Sequence, residues 1–175
     1  ADRGIFPGQT PLVSGKDHKV AALLESVEAG PHDPHFAGYI RCFNEQNFYE
    51  AHDVLESLWL QDRNGPDGDF FKGLIQFAGA FVHLQKQRPR PALKFFMLAA
   101  AYLAKYPSPH LALDVANVLR LAKRWGEAAD AALQSCGLDM PANGTVAHKD
   151  DLFAIDAQAH PVVRVEEELV VAGLR

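Results

Sequence analysis

The segment FYEAHDVLESLW (48–59) carries two groups with chemistry on one helical stripe. Residues three and four apart share a helix face, so Phe48, His52, Leu55 and Trp59 line up, with Glu56 beside them. An imidazole nitrogen and a carboxylate oxygen at this spacing are ligands for zinc or non-haem iron. They also suit a base and the carboxylate that orients it. A second segment, GLIQFAGAFVHL (73–84), sets Gln76, Ala80 and His83 on one face, with Gly79 alongside. RNGPDG (63–68) between the two is a turn, so the helices are expected to pack antiparallel. Pairing positions about residue 66 places Glu56 opposite Gln76, His52 opposite Ala80 and within reach of His83, and Tyr49 opposite His83. The expected ligand pocket is therefore Tyr49, His52, Asp53, Glu56, Gln76 and His83, with Gly79 and Ala80 leaving room.

Burying a neutral polar group without a partner costs on the order of 2–7 kcal/mol, so these groups must satisfy one another, hold water or bind something. Three readings follow. The first is a buried hydrogen-bond network that fixes helix register, with Gln76 bridging the His52–Glu56 pair; the chain is then a non-enzymatic helical interaction module. The second is a divalent metal site, zinc or iron, with His52, Glu56 and His83 as ligands. There Asp53 or Gln76 adds oxygen, or Asp53 serves beside the ligands or as general base. The third is a pocket for a small polar ligand lined by Phe48, Trp59, Phe77 and Phe81, with His52 as base. No HExxH and no Glu-x-x-His occurs at these positions. Cys42, on the preceding helical segment, reads as core rather than as a nucleophile. The spacing alone does not decide whether the chain is an enzyme.

The elements that must position these groups are helical. Val20, Leu23, Leu24 and Val27 have helical spacing within 16–29, and Gly30 follows as a stop. Asp33 is placed to cap a second helix with Pro34 at its first position. Asn47 and Glu50 are expected to form a capping box for the segment quoted above. The run from about 69 to 86 is apolar nearly all round, which suits a central helix. RPRP (88–91) is expected to end it, and further helices span 92–106 and about 111–135, with Gly126 as a weak point. Asp62, Asp67 and Asp69 lack a calcium-loop pattern and read as helix capping. No alternating β-branched run appears before residue 145.

The expectation is an all-α, single-domain bundle of about five to six helices with an irregular N-terminal arm and C-terminal tail. Residues 1–30 form the arm and first helix, 31–136 the bundle core, and 137–175 the tail. PVVRVEEELVVAGL in the tail suits a short strand or a short helix. Arm and tail are expected to lie over the bundle or over a neighbouring subunit of a homo-oligomer. A net charge of −5 argues against a nucleic-acid partner, and the cluster Lys86, Arg88, Arg90 and Lys94 reads as a solvated turn. Two cysteines without a CxxC give no disulfide framework. No apolar run is long enough to span a bilayer, and the first residues lack a signal-peptide core. The expected setting is soluble and cytoplasmic.

FNEQNFYEAHDVLESLW, followed after the turn by FFKGLIQFAGAFVHLQ, resembles the small helical proteins grouped as domain of unknown function 309. Phe43, Phe48, Glu50, Ala51, His52, Leu55, Glu56 and Trp59 match the first part of that pattern. Gly73, Leu74, Ile75, Gln76 and His83 match the second. The likeness covers about 36–105 well and 106–135 loosely. Asp53 stands where the family usually has Glu, and RPRP replaces a Gly-rich step. The resemblance implies a helical bundle and marks these polar positions as the family's signature. It implies no activity.

Overall fold

The computed structural model describes residues 15–138, and among them are six α-helices and no strand. These are α1 (Gly15–Leu24), α2 (Pro34–Asn44), α3 (Phe48–Trp59), α4 (Gly68–Gln85), α5 (Pro89–Leu103) and α6 (Val115–Leu138). The all-α bundle expected from periodicity is what is observed. The irregular tail is expected from 137, but α6 takes in its first two residues; the expected arm, the rest of the tail with its valine-rich segment, and their docking lie outside the described residues. No helix among the described residues is long and apolar enough to cross a membrane.

Packing follows chain order. α2 lies on α3, α3 on α4, α4 on α5 and α5 on α6, while α1 returns over α3 and α2. α4 is central because it is apolar nearly all round, with Phe70, Leu74, Ile75, Phe77 and Phe81 among its buried residues. A line of rings joins the layers. Phe43 of α2 stacks on Phe77 at 5.2 Å and meets Phe48 of α3 edge-on at 4.9 Å. Phe81 then meets Phe96 of α5 at 5.1 Å and Trp125 of α6 at 5.6 Å, both edge-on. Such pairs add about 0.5–1.5 kcal/mol each beyond the area they bury. Cys42 is buried in this core and burial pushes its thiol pKa up, which fits a packing role.

Helix ends show where local rules held and where they lost. Asp33 caps α2 as expected, accepting from the His35 N–H at 2.8 Å, with Pro34 just inside the helix. The capping box at α3 does not form. The Asn47 side chain donates to Glu45 and makes no cap bond, while Glu50 pairs with Lys19 of α1 at 2.9 Å. The Asn47 N–H instead bonds the Cys42 carbonyl, and Gln46 adopts φ 62° with its N–H on the Phe43 carbonyl. This is a Schellman end for α2, built on Gln where Gly is usual. α4 ends the same way. Gln87 has φ 56°, its N–H bonds the Leu84 carbonyl, and the Arg88 N–H bonds the His83 carbonyl. RPRP therefore does not end α4. Its prolines open α5, where a missing N–H costs nothing.

The 62–69 turn also differs from its expected capping role. Asp67 makes no cap bond, and its carboxylate lies 2.7 Å from His110 Nε2 instead. The Asp69 carboxylate takes Lys105 at 2.6 Å. His110 also packs on the Phe70 and Tyr106 rings, and the Tyr106 hydroxyl donates to the Pro66 carbonyl. The turn is thus tied to the α5–α6 connection, and charges that would have capped are used across the fold. α6 runs unbroken through Gly126, which lies beside Phe96 and Leu93 of α5. Lys86, Arg88, Arg90 and Lys94 are exposed, as the solvated-turn reading expects.

Candidate functional site

α3 is held by Phe48, Ala51, Val54 and Leu55, all buried. That anchoring leaves His52, Glu56 and Trp59 half-buried along the edge of the core stripe. The expected burial of His52 and Glu56 is only partial. The deeply buried charge is Asp53, 7% exposed, and it is the sole buried polar or charged residue among those described. One ligand atom each from His52, Asp53 and Glu56 lies within 4.8 Å of the others. His52 Nδ1 is 3.4 Å from Asp53 Oδ1. All three come from little more than one helical turn, so α3 alone fixes their relative placement.

A cation already faces two of them. The Lys16 ammonium of α1 lies 3.2 Å from Asp53 Oδ1 and also donates to Glu56 Oε2. Hydrogen bonding from Lys16 holds the Glu56 carboxyl below its ordinary range, against burial, which works the other way. Burial likewise lowers the Lys16 pKa, but Glu56 and Asp53 together outweigh it and the net shift is upward. One helical turn further along α1, Lys19 pairs with Glu50, and its side-chain bond depresses that carboxyl too.

On the α4 side His52 lies against the small residues of that helix. A Cβ on Gly79 would lie 3.9 Å from the His52 ring. The room left by small residues is taken by the Phe95 ring of α5, 2.9 Å from that same Cβ position. His83 packs edge-on against Phe95 at 4.8 Å, and its buried Nδ1 has no hydrogen-bond partner among the described residues. Burial, then Arg88 and Lys86, lower the His83 pKa. His83 is not within the clustered ligand atoms; Asp53 holds that place beside His52 and Glu56. Gln76 is half-buried on α4. No hydrogen bond joins His52, Glu56, Gln76 and His83 to one another among the described residues. Tyr49 is exposed, stacks on His52 at 6.5 Å, and carries Lys19 and Lys86 over its ring at 5.3 and 5.8 Å. It therefore stands at the rim, beside Lys86 just past the end of α4.

Lys16 is the residue that motif reading passes over. A signal for it does exist in the sequence. Glu50, Asp53 and Glu56 recur every three residues on α3, and Lys16 and Lys19 recur at the same interval on α1. Two helices packed antiparallel bring such stripes into register, with Lys16 at the Glu56 end and Lys19 at the Glu50 end.

The profile of the family described as Domain of unknown function (DUF309) matches residues 36–95, about a third of the chain. The match runs from the start of α2 into α5, and so covers His52, Asp53, Glu56, Gln76 and His83 and excludes Lys16. The chain thus resembles that family over its central helices. No curated protein and no solved structure matches the chain.

Proposed function

We propose that this protein binds a divalent cation on the side of α3 that meets α1, through His52, Asp53 and Glu56. The observation that carries the reading is the convergence of one nitrogen and two carboxylate donors within 4.8 Å on a single rigid helix. A three-donor set of this kind leaves coordination positions open to water or to a small polar ligand, as zinc and non-haem iron sites do. On this reading His83 and Gln76 of α4, and Tyr49 at the rim, would contact such a ligand rather than complete the first set of donors. One copy of the chain supplies all three donors, so the site does not depend on a second subunit. The free thiol of Cys42 suits a reducing, cytoplasmic setting. Protein purified without a histidine tag should retain about one equivalent of divalent metal and lose melting temperature on chelation. An absence of metal together with unchanged melting in chelator would overturn the reading.

A structural reading is favoured by a different observation. Lys16 bridges Asp53 and Glu56, and Lys19 holds Glu50, so the acidic stripe of α3 also serves to dock α1. On that reading the polar face is an inter-helix clasp in a non-enzymatic bundle. Glu56→Gln then weakens α1 docking and changes nothing in metal content.

A further inference from the structure

The two uses of the α3 carboxylates meet at one point in space. Asp53 Oδ1 is 3.2 Å from the Lys16 ammonium and 3.4 Å from His52 Nδ1, and Glu56 Oε2 accepts from the same ammonium. An ammonium and a divalent cation cannot both lie between these two oxygens, because like charges at that separation repel strongly wherever water is thinned. We propose that Lys16 is a tethered competitor for the cation site, so that metal loading and docking of the first turn of α1 exclude one another. The proposal rests on the divalent-cation reading of His52, Asp53 and Glu56.

The structure makes this exchange mechanically simple. The Lys16 side chain is 38% exposed, so its ammonium can swing into water on its own stem. Of α1 itself only Val20 is buried. The far end of the helix has separate anchors: Leu24 sits against Gly38, where a Cβ would come within 2.9 Å, and Arg41 donates to the Ser26 carbonyl and hydroxyl just beyond the helix. Displacing Lys16 therefore frees the start of α1, ahead of Lys19, and leaves the remainder in place, with Lys19 still on Glu50. Linkage makes the effect reciprocal: whatever docking of Lys16 subtracts from metal affinity, metal subtracts from docking.

The test titrates manganese(II) alone into the full chain and into Lys16→Met, Lys16→Arg and Lys19→Met variants. Lys16→Met should bind manganese roughly fivefold more tightly than the unaltered chain, the weight of one partly exposed ion pair. Lys16→Arg keeps the tethered cation and should stay near the unaltered affinity. Lys19→Met removes an equal charge nearby but touches Glu50 rather than Asp53 or Glu56, and should change affinity much less. Equal affinities for the unaltered chain and Lys16→Met overturn the competition while the metal reading stands. A Lys19→Met gain as large as that of Lys16→Met also overturns it, since diffuse charge then accounts for the effect. Absence of manganese binding in every variant overturns both.

Discussion

His52 and Asp53 are sequence neighbours with different physical positions, and substitutions separate them. His52 is half-exposed, with Asp53 3.4 Å from one nitrogen and the edge of its ring over Gly79. A side chain so placed contributes little to folding, so His52→Ala should change stability by less than about 1 kcal/mol. Its effect on metal affinity should be large, a loss of about tenfold or more. Asp53 is buried against Lys16, and Asp53→Asn leaves that ammonium one partner short. That change should cost about 1–3 kcal/mol. Denaturant unfolding of both variants, beside metal titration, checks the contrast. If His52→Ala costs as much as Asp53→Asn and leaves metal binding intact, His52 is a packing residue.

Individual helices show how much could be read from residue order and why the remainder could not. The 3.6-residue spacing in 48–59 and 73–84 was enough for two helices, and the RNGPDG turn for their antiparallel packing, because both signals are local. His52, Glu56, Gln76 and His83 were legible as polar residues near an apolar face for the same reason. Contacts from distant helices were not. The Phe95 ring that fills the space beside Gly79 arrives from α5, and Lys16 comes from 40 residues away. The capping box failed because Glu50 has a cross-helix partner in Lys19, a competition that no local pattern encodes. Likewise, a stop at Gly or Pro is easy to anticipate, whereas α4 stops at Gln87 with φ 56°. A left-handed conformation costs a residue with a Cβ about 1–2 kcal/mol, and glycine gives back about half of that gain through its looser unfolded chain. Gln87→Gly should therefore stabilise the fold by roughly 0.5–1 kcal/mol, read as a higher urea midpoint with unchanged slope. An unchanged or lower midpoint would mean that the exposed Gln87 side chain contributes more than its backbone strain.

Across the whole molecule, the shifted groups divide acid sensitivity into two windows belonging to different parts of the bundle. His83, at the end of α4, holds a proton less well than its ordinary value of 6.5, through burial and then the charges of Arg88 and Lys86. Between its folded and unfolded values the unfolded chain binds more protons. Its contribution is therefore complete above about pH 6.5 and is lost as pH falls through the depressed folded value. Glu50 and Glu56 are held below their ordinary 4.5, chiefly by Lys19 and Lys16 respectively. Their contribution is present above pH 4.5 and is lost only as pH falls through their own lower folded values. Melting temperature should thus fall in two steps on acidification, the first on the α4 side and the second through release of α1. His83→Gln should flatten the first step and leave the second. Lys16→Met combined with Lys19→Met should remove the second, because the carboxyls then return toward ordinary values, and leave the first. Amide exchange places each step on its helix, with α1 opening while the ring-packed core of α2 to α6 stays protected. A single transition in which α1 and α4 open together, unchanged by either set of substitutions, would show that these charges are not what couples the fold to pH.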